Sequence, residues 1–252
     1  MLLPNPWDPG SARLFAWLGF EAVATTSSGF AATRGLLDGA LGRDEVMRHA
    51  AAIVGATDLP VSADLENGFG DSPDEVAHTV RLALDAGLAG CSIEDFTGRG
   101  DDPIYDAGLA SERMAAAAEV AHSSAVKLVL TGRSENYLHG HSDLTRTIAR
   151  LQDYQDAGAD VLYAPGITAL DEIRQVVAAV DRPVNVLARP GGPTVSELAR
   201  VGVARVSVGG ALCFAALGAV VEAAKELKEH GTYGFWERAA VGLSAARAAF
   251  DI

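Results

Sequence analysis

The stretch Pro60-Val61-Ser62-Ala63-Asp64-Leu65-Glu66-Asn67-Gly68-Phe69-Gly70 passes from an apolar, strand-like run into an acidic turn punctuated by glycine. Ser72-Pro73 then supplies a helix cap and a first-turn proline, and the segment it opens closes at Asp85-Ala86-Gly87, where glycine offers a left-handed C-terminal residue. The next apolar run, Gly90-Cys91-Ser92-Ile93, again ends in acid, at Glu94-Asp95. Strand, turn, helix and strand in this order make a parallel β/α unit.

The same unit recurs on both sides of this stretch. Eight apolar runs read as strands: Leu2–Pro4, Glu21–Thr25, Pro60–Asp64, Gly90–Glu94, Lys127–Arg133, Asp160–Tyr163, Pro183–Leu187 and Arg205–Val208. Helices are expected between them at Pro9–Leu18, Arg43–Gly55, Pro73–Ala86, Ser111–His122, Ser142–Ala157, Leu170–Val180 and Thr194–Val201, with Ala211–Glu229 after the last. An open doubly wound sheet uses the same alternation, but eight strands favour closure, and 252 residues suit one barrel of roughly 250. The expected fold is a (β/α)8 TIM-type barrel in a single domain over 1–252. Past His230-Gly231, Phe235, Trp236, Ala239, Leu243 and Ala246 fall at near-helical spacing, so residues 232–252 form a C-terminal helical extension with an apolar face to bury.

Composition narrows the partners. A net charge of -13 leaves no basic field for nucleic acid or an anionic membrane surface. The only cysteines, Cys91 and Cys213, sit in apolar stretches, without disulfide or zinc spacing. The N-terminus has no basic region before an apolar run, and the longest uncharged stretch, Val206 to Val221, holds three glycines and is short for a bilayer. A soluble, cytoplasmic protein with a small-molecule ligand is expected.

In a parallel barrel, reactive groups sit at the C-terminal ends of the strands. Here Asp64 and Glu66 follow the third strand, Glu94 and Asp95 the fourth, and Arg133, Glu135 and Asn136 the fifth. Converging carboxylates repel unless protonated or bridged by a cation, and an oxygen-only cluster suits Mg²⁺, or Mn²⁺. A single acid after a strand is more often a cap or an arginine partner. Three on adjacent strands favour a site, while Asp95 reads equally well as a loop-binding group.

These residues carry a resemblance. Asp64-Leu65-Glu66-Asn67-Gly68-Phe69-Gly70 resembles the D-x-D-x-G-[FY]-G motif of the isocitrate lyase and phosphoenolpyruvate mutase superfamily, with Glu66 in place of the second Asp. Ser92-Ile93-Glu94-Asp95 is similar to its I-x-[IL]-E-D motif, Pro4-Asn5-Pro6-Trp7-Asp8 to its opening P-N-x-[WY]-D, and Thr26-Ser27-Ser28-Gly29-Phe30 to its substrate-carboxylate loop. The match covers residue 1 to about 225. It implies Mg²⁺ held directly or through water by Asp64, Glu66 and Glu94. It further implies a 2-oxo or dicarboxylic acid held by Ser28, Gly29, Phe30 and Arg133, and a reacting-group carboxylate at Asp38, which reads equally well as a polar loop acid before the Arg43–Gly55 helix. Physical chemistry agrees, because glycine-turn N–H groups nest anions and an Arg fork matches a carboxylate. The resemblance also implies exchange of a C-terminal helix within a homo-oligomer, a tetramer with Trp236 at a subunit contact. The alternative is a helix folded back on its own barrel.

The sequence departs from the superfamily where its members diverge in chemistry. The lyases carry K-[KR]-C-G-H after the fourth strand, whereas Phe96-Thr97-Gly98-Arg99-Gly100-Asp101-Asp102-Pro103-Ile104-Tyr105 has no cysteine. The sixth strand ends in Tyr163-Ala164-Pro165-Gly166, without the lyases' Glu or the mutase's His. Tyr105, Arg99 or water is left as proton donor, Tyr105 reading more readily as a packing anchor. The loop 96–106 is expected to be less ordered than the barrel and to close over ligand. Asn185 occupies a polar substrate-contact position or satisfies a neighbouring backbone group. His139 and His141 read as a solvated loop rather than a metal pair. Gly191-Gly192 and Gly209-Gly210 allow a phosphate site or simply close turns. Three functions remain open: C–C lyase or decarboxylase chemistry through a metal-stabilised enolate, P–C chemistry on a phosphonopyruvate-like acid, and a 2-oxo acid binding barrel without turnover.

Overall fold

The computed structural model describes residues 1–123, 125 and 127–250. In chain order the elements are β1 (Leu2–Leu3), α1 (Pro9–Trp17), β2 (Val23–Ala24), α2 (Ser27–Thr33), α3 (Arg43–Val54), β3 (Val61–Asp64), α4 (Pro73–Asp85) and β4 (Gly90–Glu94). There follow α5 (Ala107–Ser123), β5 (Val129–Arg133), α6 (Leu144–Asp156), β6 (Val161–Tyr163), α7 (Leu170–Ala179), β7 (Val184–Leu187), α8 (Val195–Arg200), β8 (Arg205–Ser207), α9 (Ala211–His230) and α10 (Trp236–Phe250).

All eight strands are parallel, in the order β1-β8-β7-β6-β5-β4-β3-β2, so the sheet curls into a nearly closed TIM-type barrel. The seam between β1 and β2 is bridged by Ala24 N–H donating to the Pro4 carbonyl at 3.1 Å. Pro4 has no N–H to return, and the Asn5 side chain supplies the missing links. Its Nδ2 donates to the Ala24 and Thr25 carbonyls at 3.0 and 3.2 Å, and its Oδ1 accepts from Val208 and Gly209 N–H at 2.9 Å each.

Local signals explain the helix starts. Ser72 and Glu75 form a reciprocal capping box ahead of α4, with Pro73 in its first turn, and Asp8–Ser11 and Thr194–Glu197 do the same for α1 and α8. Gly158 takes φ 107° after α6, where a Cβ would also strike the Ala118 methyl at 2.7 Å. Outward-facing Leu130 and Leu162 pack with Ile53, Val76, Val80, Leu151 and Leu198 of the surrounding helices in one buried layer.

Two elements differ from the sequence expectation. The segment Thr26–Phe30, expected as a loop, is the start of α2, because the Thr26 side chain caps it by accepting from Gly29 N–H at 3.3 Å. Helix α5 begins at Ala107 instead of Ser111, since Asp106 Oδ1 accepts from Leu109 N–H at 3.1 Å. The C-terminal extension is helical as expected, apart from residues 251–252, which lie outside the described residues. Its last turn packs on α1, where Ala249 is buried and the Phe250 ring lies against Gly10. Helix α9 buries only Cys213 and leaves Phe214, Leu217, Val220, Val221 and Leu227 exposed.

Candidate active site

The strand ends bring their polar residues together by register. Pairing sets Asp64 beside Ser92, Glu94 beside Arg133, Arg133 beside Tyr163, and Tyr163 beside Asn185. Above them opens a cavity of about 180 Å³ lined by Ser27, Ser28, Asp38, Asp64, Arg133, Tyr163 and Asn185, with Thr131, Arg205 and Ser207 deeper in the barrel.

Arg133 is the centre of this rim. Its Nη1 lies 3.3 Å from Asp64 and 3.2 Å from Glu94, and its Nε donates to Glu135 at 2.5 Å. Those acids hold its pKa well above the ordinary arginine value despite burial. Burial raises Glu94, with Arg133 opposing and Glu135, Asp64 and Glu66 adding repulsion. Burial together with the Asp64 and Asp38 charges pushes Glu66 up to about 8. Glu66 also adopts φ 49°, outside the usual range for a non-glycine residue, which turns its carbonyl toward β4 to accept from Glu94 N–H at 2.9 Å. Arg113, buried under this turn, donates to the Gly70 and Asp71 carbonyls at 2.6 Å and to the Asn67 carbonyl.

The expected carboxylate loop contributes in part. Ser28 lines the cavity, but Gly29 N–H is occupied by Thr26 Oγ1 and Phe30 N–H by the Thr26 carbonyl. The Phe30 ring stacks on His49 at 3.7 Å, so neither Gly29 nor Phe30 lines the cavity. Ser27, which the sequence reading passed over, donates to Asp64 Oδ2 through Oγ at 2.9 Å and N–H at 3.3 Å. Asp38 reaches the cavity mouth from the exposed loop after α2. Its carboxyl is raised by packing against the mouth and by the Asp64 charge, while Ser27 and Arg133 oppose the rise.

Tyr105 stands apart from the other expected site residues. It is buried outside the cavity, donates to Asp71, accepts from Asn67 Nδ2 at 3.3 Å and carries the Arg113 guanidinium over its ring at 4.1 Å. It anchors the 64–71 turn and is not placed to hand a proton to a ligand. The loop 96–106 is pinned by a Phe96–Ile104 bridge, by Thr97 N–H donating to the Pro103 carbonyl at 2.8 Å and by an Arg99–Asp71 pair at 3.0 Å. Asp95 accepts from Tyr154 Oη at 2.5 Å, Glu135 N–H at 2.7 Å and Arg150 at 3.2 Å, which makes it a buried tie between β4, β5 and α6. His139 stacks on Phe96 at 3.9 Å and lies 3.5 Å from Glu135, whereas His141 is exposed. Asn5 accepts from the Val208 and Gly209 N–H groups, and Gly209 and Gly210 line the cavity wall.

Among the described residues, no three His, Cys, Asp or Glu side chains close into a ready-made metal shell. Of the expected metal residues, Asp64 alone lines the cavity, with Glu66 and Glu94 behind it around Arg133. This donor set fits Mg²⁺, which keeps several waters and takes one or two carboxylates directly. The raised Glu66 and Glu94 carboxyls are groups whose repulsion such an ion would relieve.

Fold and site together define a parallel eight-stranded barrel with an acidic, arginine-centred cluster at its C-terminal rim. Residues 1–228 match the phosphoenolpyruvate phosphomutase family model, and the chain belongs to that family, within the isocitrate lyase and phosphoenolpyruvate mutase superfamily. The crystal structure of a "putative lyase/mutase" from Burkholderia cenocepacia J2315 is 55% identical with a TM-score of 0.95, covering 98% of this chain and 90% of that one. An uncharacterized protein of Mycobacterium tuberculosis is 33% identical over 229 residues, 90% of this chain and 84% of its own. Oxaloacetate decarboxylase of Pseudomonas entomophila is 30% identical over 226 residues, 86% of this chain and 76% of its own.

Proposed function

We propose that this protein is a Mg²⁺-dependent lyase that breaks a C–C bond in a small 2-oxo acid, by decarboxylation or retro-aldol cleavage, through an enolate. The observation that carries the reading is the small rim cavity in which Asp64, Asp38, Arg133 and the Ser27–Ser28 helix start converge. Mg²⁺ near Asp64, with Glu66 and Glu94 in support, would supply a Lewis acid for the enolate oxygen. Arg133 and Ser28, which both line the cavity beside Asp64, would bind and orient the acid end of the substrate. Ser27 fixes the Asp64 carboxylate. Asp38 would hold the proton that the enolate takes up, a role supported by its position at the cavity mouth and the upward shift of its carboxyl.

Neither thiol reaches this cavity. Cys91 is buried in β4 with its pKa pushed up to about 12, and Cys213 faces the Gly29 carbonyl at 3.7 Å. The chemistry therefore proceeds without a cysteine acid, which suits a small enolate protonated by Asp38 or by water. P–C bond chemistry is the second reading, kept by the same rim and by the family itself. The test is turnover of oxaloacetate, substituted malates and phosphonopyruvate with Mg²⁺, followed by product identification. Pyruvate or another C–C cleavage product is expected. Release of phosphate together with pyruvate from phosphonopyruvate, or its rearrangement to phosphoenolpyruvate, with the other acids left intact, would favour the second reading, and tight binding of these acids without turnover would leave a binding barrel.

A further inference from the structure

The barrel contains a second guanidinium, one side-chain layer below Arg133. Arg205 opens β8 and points inward, where its Nε donates to Asn185 Oδ1 at 2.9 Å and its Nη2 to Thr131 Oγ1 at 2.9 Å. Thr131 is two residues before Arg133 on β5, so the two guanidiniums stand roughly 6–7 Å apart along the strand direction. Their surroundings differ in charge. Arg133 touches three carboxylates, whereas Arg205 forms no ion pair among the described residues. Its neighbours are the neutral Asn185, Thr131, Ser207 and Tyr163.

A half-buried arginine inside a barrel with only neutral partners is uncommon, because desolvating the charge is costly unless an anion compensates it. Burial accordingly depresses the Arg205 pKa to about 10. Hydrogen bonding leaves Nη1 and one Nη2 hydrogen uncommitted, and Arg205 lines the floor of the same cavity whose rim carries Asp64 and Arg133. The floor is also fixed in place. Asn185 is held by donating to Ser207 Oγ at 3.0 Å, so the group that orients the guanidinium is itself oriented.

We infer that Arg205 is a specificity-determining residue which, with Thr131, Asn185 and Ser207, forms an anion-binding floor for the second carboxylate of a dicarboxylic 2-oxo acid lying along the barrel axis. The inference rests on the proposed 2-oxo acid function and names the substrate class within it. It has a chemical consequence. A carboxylate paired with a guanidinium is stabilised as an anion, which opposes its departure as neutral CO2, so the bond broken lies elsewhere in the substrate and retro-aldol cleavage is favoured over loss of that carboxylate.

The experiment is calorimetric titration of the full-length protein with Mg²⁺ and pyruvate, and separately with Mg²⁺ and 2-oxoglutarate, for wild type, Arg205→Met and Arg205→Lys. Wild type is expected to bind the dicarboxylate about 10- to 100-fold more tightly than pyruvate, the range of a charge-assisted pair. Arg205→Met removes that preference while leaving pyruvate affinity unchanged, and Arg205→Lys restores part of it. Equal weakening of both acids in Arg205→Met would assign Arg205 a structural role and overturn the inference, as would an unchanged preference. Arg205→Lys keeps the charge if Arg205→Met fails to fold, and a wild type without preference for the dicarboxylate is then decisive against it. Wild type that binds neither acid would remove the 2-oxo acid function itself, an outcome distinct from loss of the Arg205 effect.

Discussion

Replacing Arg133 with Met tests the electrostatic construction of the rim directly. The substitution removes the cation from Glu135 at 2.5 Å, Glu94 at 3.2 Å and Asp64 at 3.3 Å, on side chains that are 4%, 8% and 16% exposed. Breaking a buried pair by deleting one partner leaves uncompensated charge, and here more than one acid is orphaned, so a loss of about 3–5 kcal/mol is expected. For a chain of this size that corresponds to a fall in Tm of roughly 6–20 °C. Denaturation by urea in EDTA isolates the protein term, and repeating it with Mg²⁺ adds a cation back. Mg²⁺ should stabilise the variant more than the wild type, because it relieves the same repulsion. A variant within about 1 kcal/mol of wild type in EDTA would refute the view that Arg133 neutralises this rim.

Asp64→Ala should abolish Mg²⁺ binding in calorimetry together with turnover, and unchanged binding would move the metal elsewhere. Tyr105→Phe should cost about 1 kcal/mol by removing its bond to Asp71 yet leave kcat within about threefold, which distinguishes an anchor from a proton donor. His49 is buried against Phe30 and its pKa is lowered from 6.5 by that burial, so the unfolded chain takes up the proton first. Stability should therefore fall as pH drops below 6.5 toward the folded pKa, by up to about 1.4 kcal/mol per unit, and His49→Gln should flatten that part of the profile. A homotetramer is expected to cover the exposed apolar faces of α9 and of α10, where Trp236 is 63% and Val241 72% exposed. Light scattering of a chain ending at Glu229 should report smaller species, and an undisturbed tetramer would assign assembly to another surface.

The sequence by itself determined the strand and helix alternation, because apolar period, caps and C-terminal glycines are local signals that the chain obeys within a few residues of each end. It also determined which acids stand at the rim, since strand parity alone puts Asp64, Glu94 and Arg133 on the inner face. Only the tertiary structure decided what each polar group touches. Tyr105 reads as a packing anchor by sequence, yet its partners Asp71 and Arg113 come from the 64–71 turn and α5, so what it anchors was not legible. Thr26–Phe30 reads as a glycine loop until the Thr26 cap closes α2, and Ser27 gains its role only where Asp64 meets it from β3. Arg205 was visible as a charge at the head of an apolar run. That it points into the cavity without a carboxylate depends on the closure of eight strands around one axis, a long-range condition that no local pattern encodes.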